Sequence, residues 1–206
     1  MYVASMSGAG FQVRTGRGAI LAATARVIAR RGYRGATVSE IAMEAGVLSS
    51  FVRRTVGDEE DCFYALFSAT FHQTFTRVLD RTRDVPWPES ARDGLALFLE
   101  LLAAQPVHVR ACVDGVRALG LDGSLRLDTA VEAFTAFLAP GFEALRGRGV
   151  PVFQGNLIGS TVVHVITQHV HDDRIEELPR ALPQLLSIAL IPFCDTRDID
   201  ALLVTT

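Results

Sequence analysis

Residues 37–63, TVSEIAMEAGVLSSFVRRTVGDEEDCF, decide how this chain is read. Thr37 is an N-cap residue type, and Glu40 three positions on completes a capping-box pattern. Val38, Ile41, Ala42 and Ala45 recur at helical spacing and mark one buried face. Gly46 stops that helix, because glycine enters left-handed backbone at little steric cost. Val47 fills the corner, and Ser49 or Ser50 is placed to cap a second short helix carrying Phe51, Arg53, Arg54 and Thr55. Two helices joined by a glycine-containing turn form a helix-turn-helix, whose second helix fits the DNA major groove. The plainer reading is a helical hairpin inside a bundle.

Before the motif, an arginine-rich helix is expected over 14–31, with Ile20, Ala23, Val27 and Ile28 as its inner stripe. Gly32 and Gly35 punctuate a turn in which Tyr33 packs under the motif. After it, Asp58 is placed to cap a long helix over 59–83. Phe63, Phe67, Phe71, Phe75 and Leu79 lie at intervals of four along it, a ladder that winds slowly and can face head and body in turn. The two prolines of DVPWPES end it. Further helices are expected over 89–104, 107–119, 125–146, 152–170 and 176–192, with a turn at 121–123 and a break at Pro140-Gly141. No stretch alternates with strand periodicity and no repeat is visible, so the fold class is all-α.

The net charge of −3 hides an asymmetry. Residues 1–57 hold eight arginines against Glu40 and Glu44, a net +6, while 58–206 hold twelve against twenty-one acids, a net −9. Such a chain offers one end to a polyanion. Cys62, Cys112 and Cys194 are far apart and odd in number, which argues against a disulfide framework or zinc site and fits a reducing cytoplasm. Residues 1–13 read as a flexible arm and lack the pattern of a signal peptide. The longest uncharged run, 151–171, contains polar residues and three histidines, so it is a poor membrane span. His164 and His169 diverge around a helix, which argues against metal. No phosphate loop, nucleophile elbow or catalytic constellation appears, so neither an enzyme nor a cofactor is expected.

The stretch RGAILAATARVIARRGYRGATVSEIAMEAGV (17–47) resembles the N-terminal DNA-binding domain of TetR-family transcriptional regulators. The RGY turn at 31–33, Thr37, the Ile41-Ala42 pair and the Ala45-Gly46-Val47 turn carry the likeness. It extends more weakly to DEEDCFYALF (58–67) and ELPRALPQLLSIALIPF (177–193). The resemblance implies a helix-turn-helix domain at 14–57 and a helical ligand-binding and dimerisation domain at 58–206. It places Arg14, Arg17, Thr37, Ser49, Ser50, Phe51, Arg53 and Arg54 toward a double-stranded DNA operator. It places Phe71, Phe75, Leu101, His108, Cys112, Phe134, Phe137 and His164 around a small-molecule effector, which that lining makes apolar or aromatic. Gly155, Gly159, Leu178, Leu182, Leu185 and Ile188 fall on the two helices that pair in the family's homodimers. A repressor released from its operator by ligand is the implied function. The chain departs from the family at Arg53 and Val56, where aromatics are usual, and at Glu59, where a basic residue is usual. Those departures support the alternative of a helical binding module that has lost operator recognition.

Overall fold

The computed structural model describes residues 16–144 and 153–204. The arm, Arg14 and the end of the helix expected over 125–146 lie outside them. Helix α1 (Arg17–Arg31), a 3₁₀ turn (Tyr33–Gly35), α2 (Val38–Ala45) and α3 (Ser49–Thr55) form the head. Helix α4 (Glu59–Thr82) leads into α5 (Glu89–Ala103), α6 (Pro106–Leu119), α7 (Leu121–Phe137) and α8 (Ala139–Ala144). Then come α9 (Phe153–His171), a 3₁₀ segment (Ile175–Ala181), α10 (Leu182–Leu190) and α11 (Thr196–Val204). Among the described residues there is no strand, and the class is all-α as expected.

Local chemistry sets most of these boundaries. The Thr37 hydroxyl accepts from the Glu40 N–H at 3.3 Å and starts α2. Gly46 closes it with φ of 68°. Asp58 and Asp61 cap each other's backbone N–H at 3.0 and 3.1 Å, a full capping box that starts α4. Other boundaries differ from expectation. Leu48, in extended backbone and with no side-chain acceptor, is the N-cap of α3, so neither Ser49 nor Ser50 caps it. Gly120, with φ of 60°, makes the turn expected at 121–123, and Leu121 is already helical. The break near Pro140 falls at Leu138, which puts the proline in the first turn of α8, where its missing N–H costs nothing. Pro179 and Pro183 divide the helix expected over 176–192 into the 3₁₀ segment and α10.

Two apolar cores result. The head core joins Ile20, Ile28, Val38, Ile41 and Val52 to Phe63 and Leu66 of α4 and to Ala111, Cys112 and Val116 of α6. The second helix of the helix-turn-helix ends at Thr55, but the head's packing crosses into α4 and α6. Phe63 is the pivot: Tyr33 meets its ring edge-on at 5.2 Å, and a Cβ at Gly115 would overlap it, so Gly115 is the notch that admits it. The second core gathers Leu95, Phe98, Leu99 and Leu102 of α5 with Phe134, Ile158, Val162, Ile166, Leu178, Leu185 and Leu186.

The phenylalanine ladder of α4 meets the head core at Phe63, Phe67 and Phe71 and the body core at Phe71 and Phe75, as expected, and departs from expectation only at Leu79. Beside the ladder lies a more uniformly buried stripe. It runs through Cys62, Leu66, Thr70, Thr74, Val78 and Thr82, while Phe67, Phe71 and Phe75 are half-buried and Leu79 is 53% exposed. Threonine suits this stripe because each hydroxyl bonds the carbonyl one turn earlier, Thr70 to Leu66, Thr74 to Thr70 and Thr82 to Val78, at 2.7–2.9 Å. Their polarity is satisfied inside the helix.

Candidate nucleic-acid interface

Helix α3 is anchored by one residue and presents the others. Val52 is fully buried; on the opposite side Ser50, Arg53 and Arg54 are exposed, with Ser49 and Phe51 half-buried at the flanks. The Arg54 guanidinium lies 5.5 Å from the Phe51 ring centroid, a cation–π contact that restrains its long side chain. Among the described residues neither Arg53 nor Arg54 makes an ion pair. Two exposed guanidinium groups outside any ion pair among the described residues, on the outward face of a second helix, are suited to paired hydrogen bonds with guanine or phosphate. Arg17 is exposed at the start of α1 and Thr37 at the start of α2, with the threonine hydroxyl already engaged in its cap.

Other arginines of the head have a different task. Arg26 and Arg30 donate to the two carboxylate oxygens of Glu44 at 2.6 and 2.8 Å, and Arg31 pairs with Glu40 at 3.1 Å. These contacts pin α1 to α2. The Arg26 hydrogen bond, then that of Arg30, holds the Glu44 carboxyl below its ordinary pKa. Among the described residues of this end, the arginines outside such pairs are Arg17, Arg34, Arg53 and Arg54, fewer than the sequence total suggests.

Glu59 has a contact that local spacing does not explain. Its Oε1 accepts the Val38 N–H at 2.9 Å, so the first residue of α4 caps the first N–H of α2. That bond lowers the Glu59 pKa, helped by its own N–H and by the nearby Arg53 cation. The carboxylate occupies a helix N-terminus where a phosphate could otherwise sit, in a cleft it shares with Tyr33, Arg34, Thr37, Asp58 and Glu60. The departure from the family at Glu59 is therefore a strut across the head. A folded pKa below the ordinary value means that this strut supports the fold above the usual carboxylate range and is lost as pH falls through the lowered value. Glu59→Gln, which keeps an acceptor, is expected to hold thermal stability within about 0.5 kcal/mol and to bind DNA more tightly than wild type. Glu59→Lys should lose about 1 kcal/mol, the size of a missing helix cap. Equal melting curves for both variants would show that the Val38 contact contributes nothing.

In the body, the aromatic candidates are brought together only in part. Phe75 packs on Phe98 of α5 at 5.3 Å, Phe134 lies 6.0 Å from Phe137, and the Phe137 ring sits over Gly94. Phe71 leans on Phe67 at 4.6 Å and touches both cores; Leu101 is half-buried. Three candidates fall elsewhere. His164 is exposed on the outer face of α9. Cys112 belongs to the head core, and burial pushes its thiol up to about 12, so it is a neutral core group. His108 is half-buried, its pKa lowered first by burial and then by Arg26 of α1, which places it toward the head. The dimer candidates differ in their exposure. Leu178 and Leu185 are buried in the chain's own core, and Gly155 and Gly159 are buried as well. A Cβ on Gly159 would come to 3.0 Å from Val131, so that glycine admits α7 of the same chain. Leu182 and Ile188 remain half-buried, and the outward positions of this region include Leu157, 56% exposed, and Ile191, 64% exposed.

Comparison with known proteins agrees with this fold. Residues 20–51 match the model for bacterial regulatory proteins of the tetR family. The resemblance read at 17–47 thus holds from Ile20 onward, and the match ends at Phe51 within α3, before Arg53 and Arg54. The chain has no match among curated proteins. Its fold is similar to that of the fatty acid degradation regulator FadR from Bacillus halodurans, with TM-score 0.74 and 20% identity over 84% of this chain and 94% of that one. FadR from Bacillus subtilis, solved in complex with stearoyl-CoA, gives 0.70 and 21% over 84% and 96%. The TetR-family regulator PfmR from Thermus thermophilus gives 0.60 and 19% over 82% and 96%. No single helix among the described residues is long and apolar enough to cross a membrane.

Proposed function

We propose that this chain is a homodimeric, ligand-responsive transcriptional regulator of the cytoplasm that binds an operator through its head (14–57) and an effector and its partner through its body (58–206). The observation that carries the reading is α3, anchored by Val52 and presenting Ser50, Arg53 and Arg54 outward, the two arginines without ion-pair partners among the described residues. Selection of bound sequences from a random double-stranded DNA pool tests it. A recovered consensus with twofold symmetry supports the regulator; a pool that stays random supports a binding module that kept only the fold.

The effector proposed is a small apolar molecule held beside Phe71, Phe75, Phe134 and Phe137. Stearoyl-CoA, found in one structural neighbour, carries an apolar chain of that broad class and is a reasonable first probe. Its site would act on the head because α6 and α4 both contribute to the head core, so a shift in either changes how the head is held. A ligand that favours the conformation with poor operator fit acts as an inducer, which makes the protein a repressor. Reciprocity is the check: the factor by which effector weakens DNA binding must equal the factor by which DNA weakens effector binding.

The dimer proposed uses the outward face of α9 and α10, because two recognition helices must reach successive grooves. Leu157 and Ile191 are large apolar residues left exposed on α9 and at the end of α10. Ile191→Arg is expected to give a folded monomer by light scattering. Leu185→Arg places a charge in the chain's own core and should unfold it instead. A dimeric Ile191→Arg would move the interface to another face.

A further inference from the structure

Leu48 stands at the position that begins the recognition helix, and it is the wrong residue for that task unless it has another. An N-cap is normally Ser, Thr, Asp or Asn, whose oxygen accepts a first-turn N–H; here no side chain makes that bond. Nor is Leu48 a core residue: it is 76% exposed, while its neighbour Val47 is half-buried and does the packing at this corner. The backbone is extended at φ −77° and ψ 146°, an unstrained conformation that a capping residue would share. A large apolar side chain is therefore held out, uncapping and uncovered, at the N-terminus of α3, on the same short element as the cations of Arg53 and Arg54.

We propose that Leu48 is a specificity-determining residue that packs on the 5-methyl group of a thymine in each operator half-site. The inference rests on the reading that α3 enters the major groove. The N-terminal residues of a recognition helix approach base edges, and the thymine methyl is the one apolar group that the major groove displays. Leucine has no hydrogen-bond donor or acceptor on its side chain, so at a base edge its favourable contact is with that methyl. The arginines beside it supply attraction to the polyanion, which brings the apolar contact into range without its own electrostatic contribution.

The test uses the full-length protein and the sequence recovered from the random pool. Each thymine is replaced in turn, symmetrically in both half-sites, by deoxyuridine, which removes only the methyl. For wild type, one thymine position is expected to matter, with about a fourfold loss per half-site, the worth of one buried methyl, and about fifteenfold for the pair. Leu48→Ala should bind the unmodified site more weakly by a similar factor and be indifferent to deoxyuridine at that position. Leu48→Thr, which keeps a methyl and supplies a cap, should retain part of the sensitivity and melt at a higher temperature than wild type. Sensitivity that is the same in wild type and Leu48→Ala, or absent at every thymine, overturns the assignment while leaving operator binding intact. A pool with no consensus overturns the DNA-binding reading itself, and this assignment with it.

Discussion

Alanine at both Arg53 and Arg54 is expected to remove sequence-specific DNA binding while leaving the fold almost unchanged. Each base-reading contact is worth about 1–3 kcal/mol, and the dimer would lose four of them. Even at the low end that is about a thousandfold in affinity. Stability should change little, because both side chains are exposed. Inside the described head the substitutions remove a surface cation–π pair of Arg54 on Phe51, worth about 0.5–1 kcal/mol, and the attraction between the Arg53 cation and the Glu59 carboxylate. Anisotropy titration on the selected operator, with circular dichroism as the control for folding, reads both quantities. A double variant that binds within about tenfold of wild type would place the reading face away from α3.

Phe63→Ala should be the most damaging single truncation. The ring is fully buried, meets Tyr33 at 5.2 Å and Phe67 at 6.2 Å, and fills the notch at Gly115. Removing a buried phenylalanine costs about 3–5 kcal/mol through lost transfer energy and the cavity left behind. Here the cavity opens where the Tyr33 turn, α4 and α6 meet, so the head should loosen before the body does. Urea unfolding followed by hydrogen exchange at the head's amides separates the two. A loss below about 1 kcal/mol would mean that the head core does not depend on this ring. Gly115→Leu attacks the same joint from the other side, since its side chain and the Phe63 ring cannot share the notch.

The head is legible in sequence because its signals are local. Thr37, Gly46 and Asp58 each act on backbone within a few residues, so spacing alone locates them. Glu59 is not legible in this way: its partner is a backbone N–H twenty-one residues earlier, reached only after α2 and α4 have packed. The staple of Arg26 and Arg30 on Glu44 has the same character, and it converts what looks like DNA-binding charge into a brace between helices. Along α4, hydrophobicity points to the phenylalanines, which do pack on the two cores, but it misses the more uniformly buried stripe one residue away, whose threonine hydroxyls are satisfied within the helix. In the C-terminal region, an apolar stripe states that a face is buried without stating by what. Leu178 and Leu185 are covered by their own chain.

Salt dependence of binding to the selected operator tests the central proposal most directly, because it separates a groove-reading dimer from a module that holds DNA weakly or not at all. Arg17 and Arg34 are exposed and outside the ion pairs of the described head, and we propose that both meet phosphates in each protomer, which displaces four counterions. The slope of log K against log salt concentration should then be about −3.6 or steeper. The same titration on scrambled DNA should show weaker binding by about a thousandfold or more at physiological salt. A slope near zero, or equal affinity for operator and scrambled duplex, would contradict operator recognition by this head.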